Sequence, residues 1–287
     1  MKKVGIVSCN KFINKIEEDI ILVQQLKNIN IDAKLISWQD NKINYKEYNC
    51  LILKSVWGYQ NNLKEFMEWL YMLEKNNIKI LNDTNIIKNN IRKDIQTNIL
   101  DKNNIPHIKS QFIKSLDDLN KLKCLDEYIV KPIISGSGDN TFLVGEKKIS
   151  NLELSSLLIN LINSNQIGLI VQPFISDIKK GEYACVFVEN ENTHNMMRNP
   201  GIFFEKKKPY YLNEVPDKIL ELAYRVNKLK EFKDSLYMRV DIVDIKGEPS
   251  IMEVELTEPD LLTKFIPEEN KKNKILSLMA NKIERRI

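Results

Sequence analysis

The first third of the sequence alternates short apolar segments with amphipathic ones, and this alternation constrains the fold more than any other feature. Strand-like runs KVGIVS, AKLISW, CLILKSV and IKILN accompany two helix-like runs, EEDIILVQQLKNI and LKEFMEWLYMLEK. In the helix-like runs, apolar residues recur every three or four positions, as on one face of an α-helix. Alternating β and α segments predict a parallel sheet with helices on its faces, a Rossmann-like α/β domain, over residues 1–82.

The pattern changes after residue 82. A long helix-like run, 84–103, is followed by short strand-like runs, and further helices are predicted at 151–163 and 217–232. The strand-like runs lie at 111–115, 127–132, 141–145, 168–175 and 182–190, with a hairpin near residue 247. Strands in succession beside helices predict an α+β domain with antiparallel sheet over 83–287. We divide it into two subdomains, roughly 83–175 and 176–287.

Composition excludes several classes of protein. The 43 basic and 39 acidic residues nearly balance, which argues against a nucleic-acid-binding protein with a concentrated basic stripe. No run approaches the ~18 apolar residues of a membrane span, and the first apolar run is too short for a signal peptide. We therefore expect a cytoplasmic protein that binds neither nucleic acid nor membrane. The cysteines form no C-x-x-C pair and lie in apolar runs, which predicts buried reduced thiols at Cys9, Cys50, Cys124 and Cys185.

The predicted hairpin concentrates acids beside an arginine. Alternation places Arg239 and Asp241 on one face of the first strand, and Glu253 and Glu255 on one face of the second. If the turn is centred on Gly247, Asp241 lies opposite Glu253, and Arg239 lies opposite Glu255. Facing carboxylates repel each other, and a divalent cation would remove that repulsion. The alternative is a solvated charged face with an Arg–Glu salt bridge.

The other faces of the two hairpin strands are apolar. These faces are expected to cover a core, with Met238, Val240 and Ile242 on the first strand and Met252, Val254 and Leu256 on the second.

Two lysines and a glycine-rich loop point to an anion. Lys131 ends an apolar strand, and the small-residue loop Ser135-Gly136-Ser137-Gly138 follows it. Backbone N–H groups in such a loop can turn towards a phosphate, although an ordinary turn between strands is the alternative. Lys93 lies on the predicted helix, where a solvated surface lysine is the alternative.

Taken in order along the chain, these segments resemble the ATP-grasp ligases. The resemblance spans residues 84 to 265 and rests on Lys93, VKPIISGSGDNT, VQPFI, GEYACVF, Arg198 and RVDIV…IMEVE. Within the glutathione-synthetase-like ligases, the chain is most similar to the group that includes the cyclo-ligase of cycloserine biosynthesis. The segments that carry this closer similarity are KSVWGYQ, KPIISGSGDNT, VQPF, GEYACVF and MEVELTEPDL. The resemblance implies an ATP-grasp fold, and residues 1–82 suit the domain that precedes it.

The resemblance also implies roles at matching positions. Two lysines would contact ATP phosphates, Lys93 and Lys131, and a loop would close over them at Gly136, Ser137 and Gly138. Backbone would hold adenine around Gln172, Phe174 and Ile175, and the ribose would bind Glu182. Three acids would bind Mg²⁺, with two ions expected and Mn²⁺ as an alternative: Asp241, Glu253 and Glu255. The transferred phosphoryl group and the acyl phosphate would be stabilised by Arg239 and Arg198.

The sequence departs from the family pattern at two positions. Many ATP-grasp enzymes read Glu-x-Asn at the second metal strand, whereas this chain has Glu253-Val254-Glu255. Ribosomal-protein glutamate ligases carry an arginine two residues after the ribose acid, and this chain has Ala184 there. The acceptor chemistry of those glutamate ligases is therefore not implied.

Four further residues are candidates for the substrate site. Trp57 and Tyr59 follow a strand of the first domain, and ligands favour the carboxyl ends of parallel strands. The alternative is that both rings belong to the core. Glu258 and Asp260 follow the metal strand and could bind a substrate amine or cap the next helix.

The expected activity is that of a Mg²⁺-dependent, ADP-forming ligase or cyclo-ligase. It would activate a carboxylate as an acyl phosphate for attack by an amine or similar nucleophile. The expected partner is a small amino-acid-like or peptide substrate, and the protein would be a monomer or homodimer. Two alternatives stay open, an ATP-grasp small-molecule kinase and a non-catalytic nucleotide-binding protein.

Overall fold

The structure is a computed structural model that describes residues 1–121, 127–136, 138, 140–144, 151–163, 167–199 and 207–287. In these ranges the chain forms thirteen strands in three sheets and eight α-helices. None of these helices is both long enough and apolar enough to cross a lipid bilayer.

The N-terminal residues form the predicted parallel sheet with its helices. The elements in chain order are β1 (Lys3–Ser8), α1 (Glu17–Asn28), β2 (Asp32–Ser37), β3 (Cys50–Leu53), α2 (Leu63–Lys75) and β4 (Ile80–Leu81). The strand order is β2-β1-β3-β4, and every pair is parallel. All six were predicted, because their apolar residues follow the periods of buried strands and amphipathic helices. This alternation confirms the predicted α/β arrangement.

The predicted single helix at 84–103 is two helices, α3 (Thr84–Asn90) and α4 (Lys93–Lys102). Arg92 between them has extended backbone, with φ −96° and ψ 99°. Tertiary contacts override the continuous helical pattern, since the N–H of Lys93 donates to the carbonyl oxygen of Ile133 at 3.3 Å. The break makes Lys93 the first residue of α4.

The middle sheet is antiparallel and carries the glycine-rich loop. Its elements are β5 (Gln111–Ile113), α5 (Leu116–Asn120), β6 (Tyr128–Pro132), β7 (Phe142–Val144), α6 (Asn151–Asn163) and β8 (Leu169–Pro173). The strand order is β5-β8-β6-β7. The loop joins β6 to β7, so it extends from the end of the strand that carries Lys131.

The C-terminal sheet is also antiparallel and carries the acidic hairpin. Its elements are β9 (Glu182–Val188), β10 (Glu191–Arg198), β11 (Tyr210–Tyr211), α7 (Asp217–Asn227), β12 (Tyr237–Ile245), β13 (Glu248–Glu255) and the final helix α8 (Glu269–Arg286). The strand order is β11-β10-β9-β12-β13. Two antiparallel sheets beside helices confirm the predicted α+β region. Four elements were not predicted, namely β10, β11, α5 and α8. Helix α7 ends at Asn227, five residues before the predicted end at residue 232.

The N-terminal domain packs directly on the C-terminal sheet. Val4 and Ile6 of the parallel sheet share one buried cluster with Val186 of β9 and Met279 of α8. Asn82 lies at the predicted boundary, and its side-chain amide donates to the carbonyl oxygen of Tyr237 at 3.0 Å. The two parts therefore share a core, and the limits 1–82 and 83–287 stay predictions.

Candidate active site

The hairpin register brings the predicted metal ligands together. Asp241 of β12 pairs with Glu253 of β13, and Arg239 pairs with Glu255, as predicted. Each of the three acids offers an oxygen within 4.8 Å of the others. Hard cations such as Mg²⁺ take carboxylate oxygens, so the chemistry of this set fits that ion.

A β-bulge follows these pairs and corrects one predicted face. The register changes between Asp241 and Ile242, because Ile242 pairs with Ile251 and leaves Met252 as the extra residue. Ile251 packs in the buried cluster together with Val254, while Met252 lies on the cavity wall. The prediction that Met252 faces the core with Val254 is therefore wrong.

The facing carboxylates are neutralised by the chain's own cations. Arg239 donates through Nε and Nη2 to the two Asp241 oxygens at 2.8 and 2.9 Å, and Arg198 Nη1 lies 2.7 Å from Asp241 Oδ2. Glu255 lies 2.7 Å from Arg239 Nη2, and Glu253 lies 2.8 Å from Lys93 Nζ. These ion pairs therefore offset the repulsion between the carboxylates. The sequence analysis expected a divalent cation to have this role.

Burial and these cations separate the pKa values of the acids. Burial raises the pKa of Glu255 to about 7 against the opposing effect of Arg239. Burial also raises the pKa of Glu182 to about 7, although Arg198 opposes it. Burial has the same tendency at Glu253, but Lys93 and Lys131 outweigh it and hold the pKa at about 2. Of these three acids, Glu253 is therefore the one whose ionised form is favoured most strongly.

The two phosphate-binding candidates converge on the same place from different elements. Lys93 Nζ donates to the carbonyl oxygen of Ser135 at 2.7 Å, in addition to its ion pair with Glu253. Lys131 is half-buried on β6, and burial together with the charge of Lys93 lowers its pKa. Lys93 therefore links the start of the glycine-rich loop to the metal strand.

These side chains line one cavity of about 830 Å³ between the middle and C-terminal sheets. That volume falls within the usual range for ligand sites. The predicted phosphate, metal and phosphoryl contacts on the cavity wall are Lys93, Lys131, Gly136, Gly138, Arg198, Arg239, Asp241, Glu253 and Glu255. Ser137 lies outside the described residues.

The predicted adenine and ribose contacts line the same cavity. Gln172, Phe174, Ile175 and Glu182 are on its wall. The N–H of Phe174 already donates to the carbonyl oxygen of Glu127 at 3.0 Å, so it is not free for a nucleotide. The apolar part of this wall, which was not predicted, includes Ile108, Ile129, Ile178 and Met252. Apolar side chains carry no signal that separates cavity wall from core.

Three of the four substrate candidates line the same cavity. Trp57, Glu258 and Asp260 line it, whereas Tyr59 is buried and its ring stacks on Phe66 with centroids 4.6 Å apart. The Tyr59 hydroxyl donates a hydrogen bond to the Glu258 carboxylate. Tyr59 thus lies behind the wall as a core aromatic. Further lining residues that the sequence analysis missed are Gln60, Lys207, Lys208, Leu262, Lys264 and Phe265.

The histidines and described cysteines have structural surroundings. His107 Nε2 lies 2.9 Å from Asp101, and His194 Nε2 lies 2.6 Å from the carbonyl oxygen of Leu261. Burial lowers the pKa of His194 to about 4. Three thiols are buried and free as predicted, at Cys9, Cys50 and Cys185, and Cys124 lies outside the described residues.

Comparison with known structures decides the fold. The whole chain superposes on the crystal structure of D-cycloserine synthetase DcsG with a TM-score of 0.82, 15% identity and 99% of both chains covered. It is also similar to the D-alanine–D-alanine ligase from Bacillus anthracis complexed with ATP, with a TM-score of 0.64, 17% identity, and 100% of this chain and 99% of that chain covered. The chain has the ATP-grasp fold.

A third ATP-grasp structure extends the likeness. This is the ATP-grasp ligase PsnB complexed with a phosphomimetic variant of its minimal precursor, Mg and ADP, with a TM-score of 0.65, 11% identity, and coverage of 100% of this chain and 99% of that chain. Residues 4–82 match the family model of the D-cycloserine synthetase DcsG N-terminal domain. A comparison of the sequence with curated proteins finds no match. The predicted ATP-grasp fold and the predicted resemblance to the cycloserine group are confirmed.

Proposed function

We propose that the protein is an ADP-forming, Mg²⁺-dependent ligase that joins a carboxylate to an amine or similar nucleophile through an acyl phosphate. The proposal rests mainly on the convergence at Glu253. Lys93 and Lys131, the phosphate-binding candidates, come within electrostatic range of this metal-binding candidate in one cavity. Phosphoryl transfer depends on positioning and charge neutralisation, and this arrangement supplies both.

The names of the similar structures support this assignment. They include a cycloserine synthetase, a D-alanine–D-alanine ligase bound to ATP, and a ligase bound to Mg and ADP. In this chain Asp241, Glu253 and Glu255 would hold Mg²⁺, with two ions proposed and Mn²⁺ as an alternative. When bound, the metal would neutralise negative charge on the nucleotide phosphates.

The two arginines take different roles in the proposal. Arg198 is 24% exposed at its side chain, and we assign it to the transferred phosphoryl group. Arg239 is 3% exposed, and it bonds to Asp241, to Glu255 and to the carbonyl oxygen of Asp260. We therefore assign Arg239 as a positioning residue that holds the acids in place.

At the nucleotide end, the backbone around Gln172, Phe174 and Ile175 would hold adenine, and Glu182 would bind the ribose. The loop with Gly136, Ser137 and Gly138 would close over the phosphates. Trp57, Glu258 and Asp260 would meet a small amino-acid-like or peptide substrate. The protein would act as a monomer or homodimer in the cytoplasm.

The test is a screen of amino acids and short peptides as the acid, with ATP, Mg²⁺ and hydroxylamine as the nucleophile. A ligase accumulates a hydroxamate and ADP in equal amounts. A kinase instead gives ADP and a stable phosphorylated product that hydroxylamine does not consume. Formation of AMP and pyrophosphate would refute the assignment, and no nucleotide turnover with any acid would favour the non-catalytic alternative.

A further inference from the structure

Glu258 is held by the N-terminal domain at both its main chain and its side chain. The indole Nε1 of Trp57 donates to the carbonyl oxygen of Glu258 at 2.9 Å, and the Tyr59 hydroxyl donates to its carboxylate. The Tyr59 ring is fixed by its stacking on Phe66. Glu258 is nevertheless half-buried on the cavity wall, three residues beyond Glu255. A carboxyl group is thus fixed on the cavity wall, within electrostatic range of Glu255 and Glu253.

The neighbouring acid, Asp260, has a different environment. Its Oδ1 accepts the N–H of Leu262 at 2.9 Å, and its Oδ2 lies 3.2 Å from Lys264 Nζ. Asp260 therefore already has a backbone donor and an ammonium group. Among the described residues, no basic side chain forms an ion pair with Glu258.

We infer that Glu258 is the group that accepts a proton from the attacking amine, and that Tyr59 and Trp57 position it for this step. This inference rests on the proposed ligase function and deepens it, because it identifies the nucleophile as a primary amine that arrives as an ammonium ion. The carbon skeleton of this amine would lie beside the Trp57 ring, and the amine nitrogen would lie between Glu258 and the acyl phosphate.

The electrostatic surroundings support a proton acceptor. An alkylammonium ion has a pKa of about 10 and an ordinary glutamic acid about 4, so proton transfer between them is strongly unfavourable. Burial and the charge of Glu255 raise the pKa of Glu258 to about 8, which narrows the difference from about 6 pKa units to about 2. The titratable and charged groups that act on Glu258 are Tyr59, Lys93, Arg239, Glu253 and Glu255.

The proton balance of the step is simple. The ammonium ion transfers one proton to the Glu258 carboxylate and becomes a neutral amine with a free electron pair. The nitrogen attacks the acyl carbon, the bond from that carbon to the phosphate oxygen breaks, and phosphate leaves with the electron pair. The second proton leaves the nitrogen as the amide forms and goes to the departing phosphate.

The test compares two nucleophiles on the acid with the highest turnover in the hydroxamate screen. Hydroxylamine is uncharged at neutral pH and needs no proton acceptor, whereas ammonium or a primary alkylammonium ion does. We expect Glu258→Gln to lower amide formation from ammonium at least 100-fold and hydroxamate formation less than fivefold. Tyr59→Phe keeps the ring and should show a weaker split in the same direction, while Glu74→Gln, at an acid outside the cavity, should show none.

A substrate-free readout accompanies the kinetics. The infrared carbonyl band of protonated carboxyl groups at pH 7 should be weaker in Glu258→Gln than in the wild-type protein, and this difference should disappear above pH 9. Equal losses with both nucleophiles, or a Glu258 that is fully ionised at pH 7, would overturn the inference. Absence of hydroxamate and ADP with the wild-type protein across the whole screen would refute the proposed function itself and the proton-acceptor role with it.

Discussion

Lys93 forms an ion pair with Glu253, one of the three proposed metal ligands, and this predicts competition between the two cations. The ammonium group lies 2.8 Å from Glu253 Oε1 and 2.7 Å from the carbonyl oxygen of Ser135. A divalent ion entering without nucleotide must displace this group from Glu253. Replacing the lysine by methionine keeps an unbranched side chain of similar length and removes the charge. We therefore expect Lys93→Met to bind Mn²⁺ more tightly than the wild type when no nucleotide is present.

The size of the effect follows from the pKa of Glu253. Its value of about 2, against 4.5 for the free group, corresponds to about 3 kcal/mol of stabilisation of the carboxylate by its surroundings. Lys93 and Lys131 supply most of this stabilisation. If they share it equally, the loss of Lys93 removes a competing interaction of about 1.5 kcal/mol, or roughly tenfold in Mn²⁺ affinity. If Lys93 supplies all of it, the gain in Mn²⁺ affinity is about a few hundredfold.

The assay is a titration with Mn²⁺, in which the electron paramagnetic resonance signal measures the free ion. Lys88→Met is the matched control, because Lys88 also forms an ion pair, 2.5 Å from Glu74, away from the cavity. With a non-hydrolysable ATP analogue the sign should reverse, since Lys93 is then expected to hold a phosphate. Unchanged or weaker Mn²⁺ binding by Lys93→Met without nucleotide would show that Lys93 does not compete for Glu253.

Two substitutions test the structural supports of the site. Asp241→Asn should lower the free energy of unfolding by roughly 3 kcal/mol in urea at neutral pH, because the buried Arg239 loses its main partner; an unchanged or higher midpoint would restore the idea of repelling acids. Gly181→Ala should destabilise by about 1–3 kcal/mol, because φ is +106° and the added Cβ would lie 2.5 Å from Met197 Sδ. Gly247→Ala, with φ +93° and nothing within 4 Å, is the control with backbone strain alone, and an equal loss there would contradict the steric argument.

The hairpin shows how far sequence reasoning reaches. Its register could be predicted from two local features of the sequence, the alternation of side chains along each strand and the glycine at the turn. The bulge at Met252 was not readable, because Met252 and Ile251 are both apolar and either could face the core. A one-residue change in register then moves a side chain from core to cavity.

Strand β10 and helix α8 were not predicted, for two different reasons. Strand β10 has the sequence ENTHNMMR, and its buried positions include His194 and Met196, so apolar alternation is nearly absent. Helix α8 did carry a readable signal, with Ile275, Met279 and Ile283 spaced four residues apart among many polar residues. The first miss reflects tertiary context, and the second an incomplete reading of the pattern.

The balance of charge in the site could not be predicted, because its members are far apart in the sequence. Arg239 was predicted beside the acids, but Lys93 and Arg198 come from α4 and β10, and only the folded chain brings them to the acids. Local patterns therefore identified the chemical groups, while their pairing in the absence of a metal ion emerged from tertiary structure. Repulsion between the acids alone would make Asp241→Asn stabilising, whereas this pairing makes it destabilising.

A last prediction concerns Asp19 of α1, a buried acid outside the cavity. It is 2% exposed, its Oδ2 accepts the Ser55 hydroxyl at 2.5 Å, and its Oδ1 has no hydrogen-bond partner among the described residues. Burial raises its pKa to about 6 from 3.8, despite the opposing charge of Lys54. The native state therefore holds this proton more tightly than the unfolded state, and stability is lost as the pH rises from about 4 to 6.

The loss in the free energy of unfolding should reach about 3 kcal/mol above pH 6. An asparagine at this position does not ionise, so it avoids this loss. Asp19→Asn should thus raise the free energy of unfolding at pH 8 by up to that amount and change it little at pH 4, as measured by urea denaturation. Glu18→Gln provides a control of opposite sign, because Glu18 is ion-paired with the buried Lys54 at 2.5 Å, and its loss should destabilise at pH 8. If Asp19→Asn also destabilises at pH 8, the attraction between the Asp19 carboxylate and Lys54 exceeds the cost of burying that carboxylate, and the argument from burial is wrong.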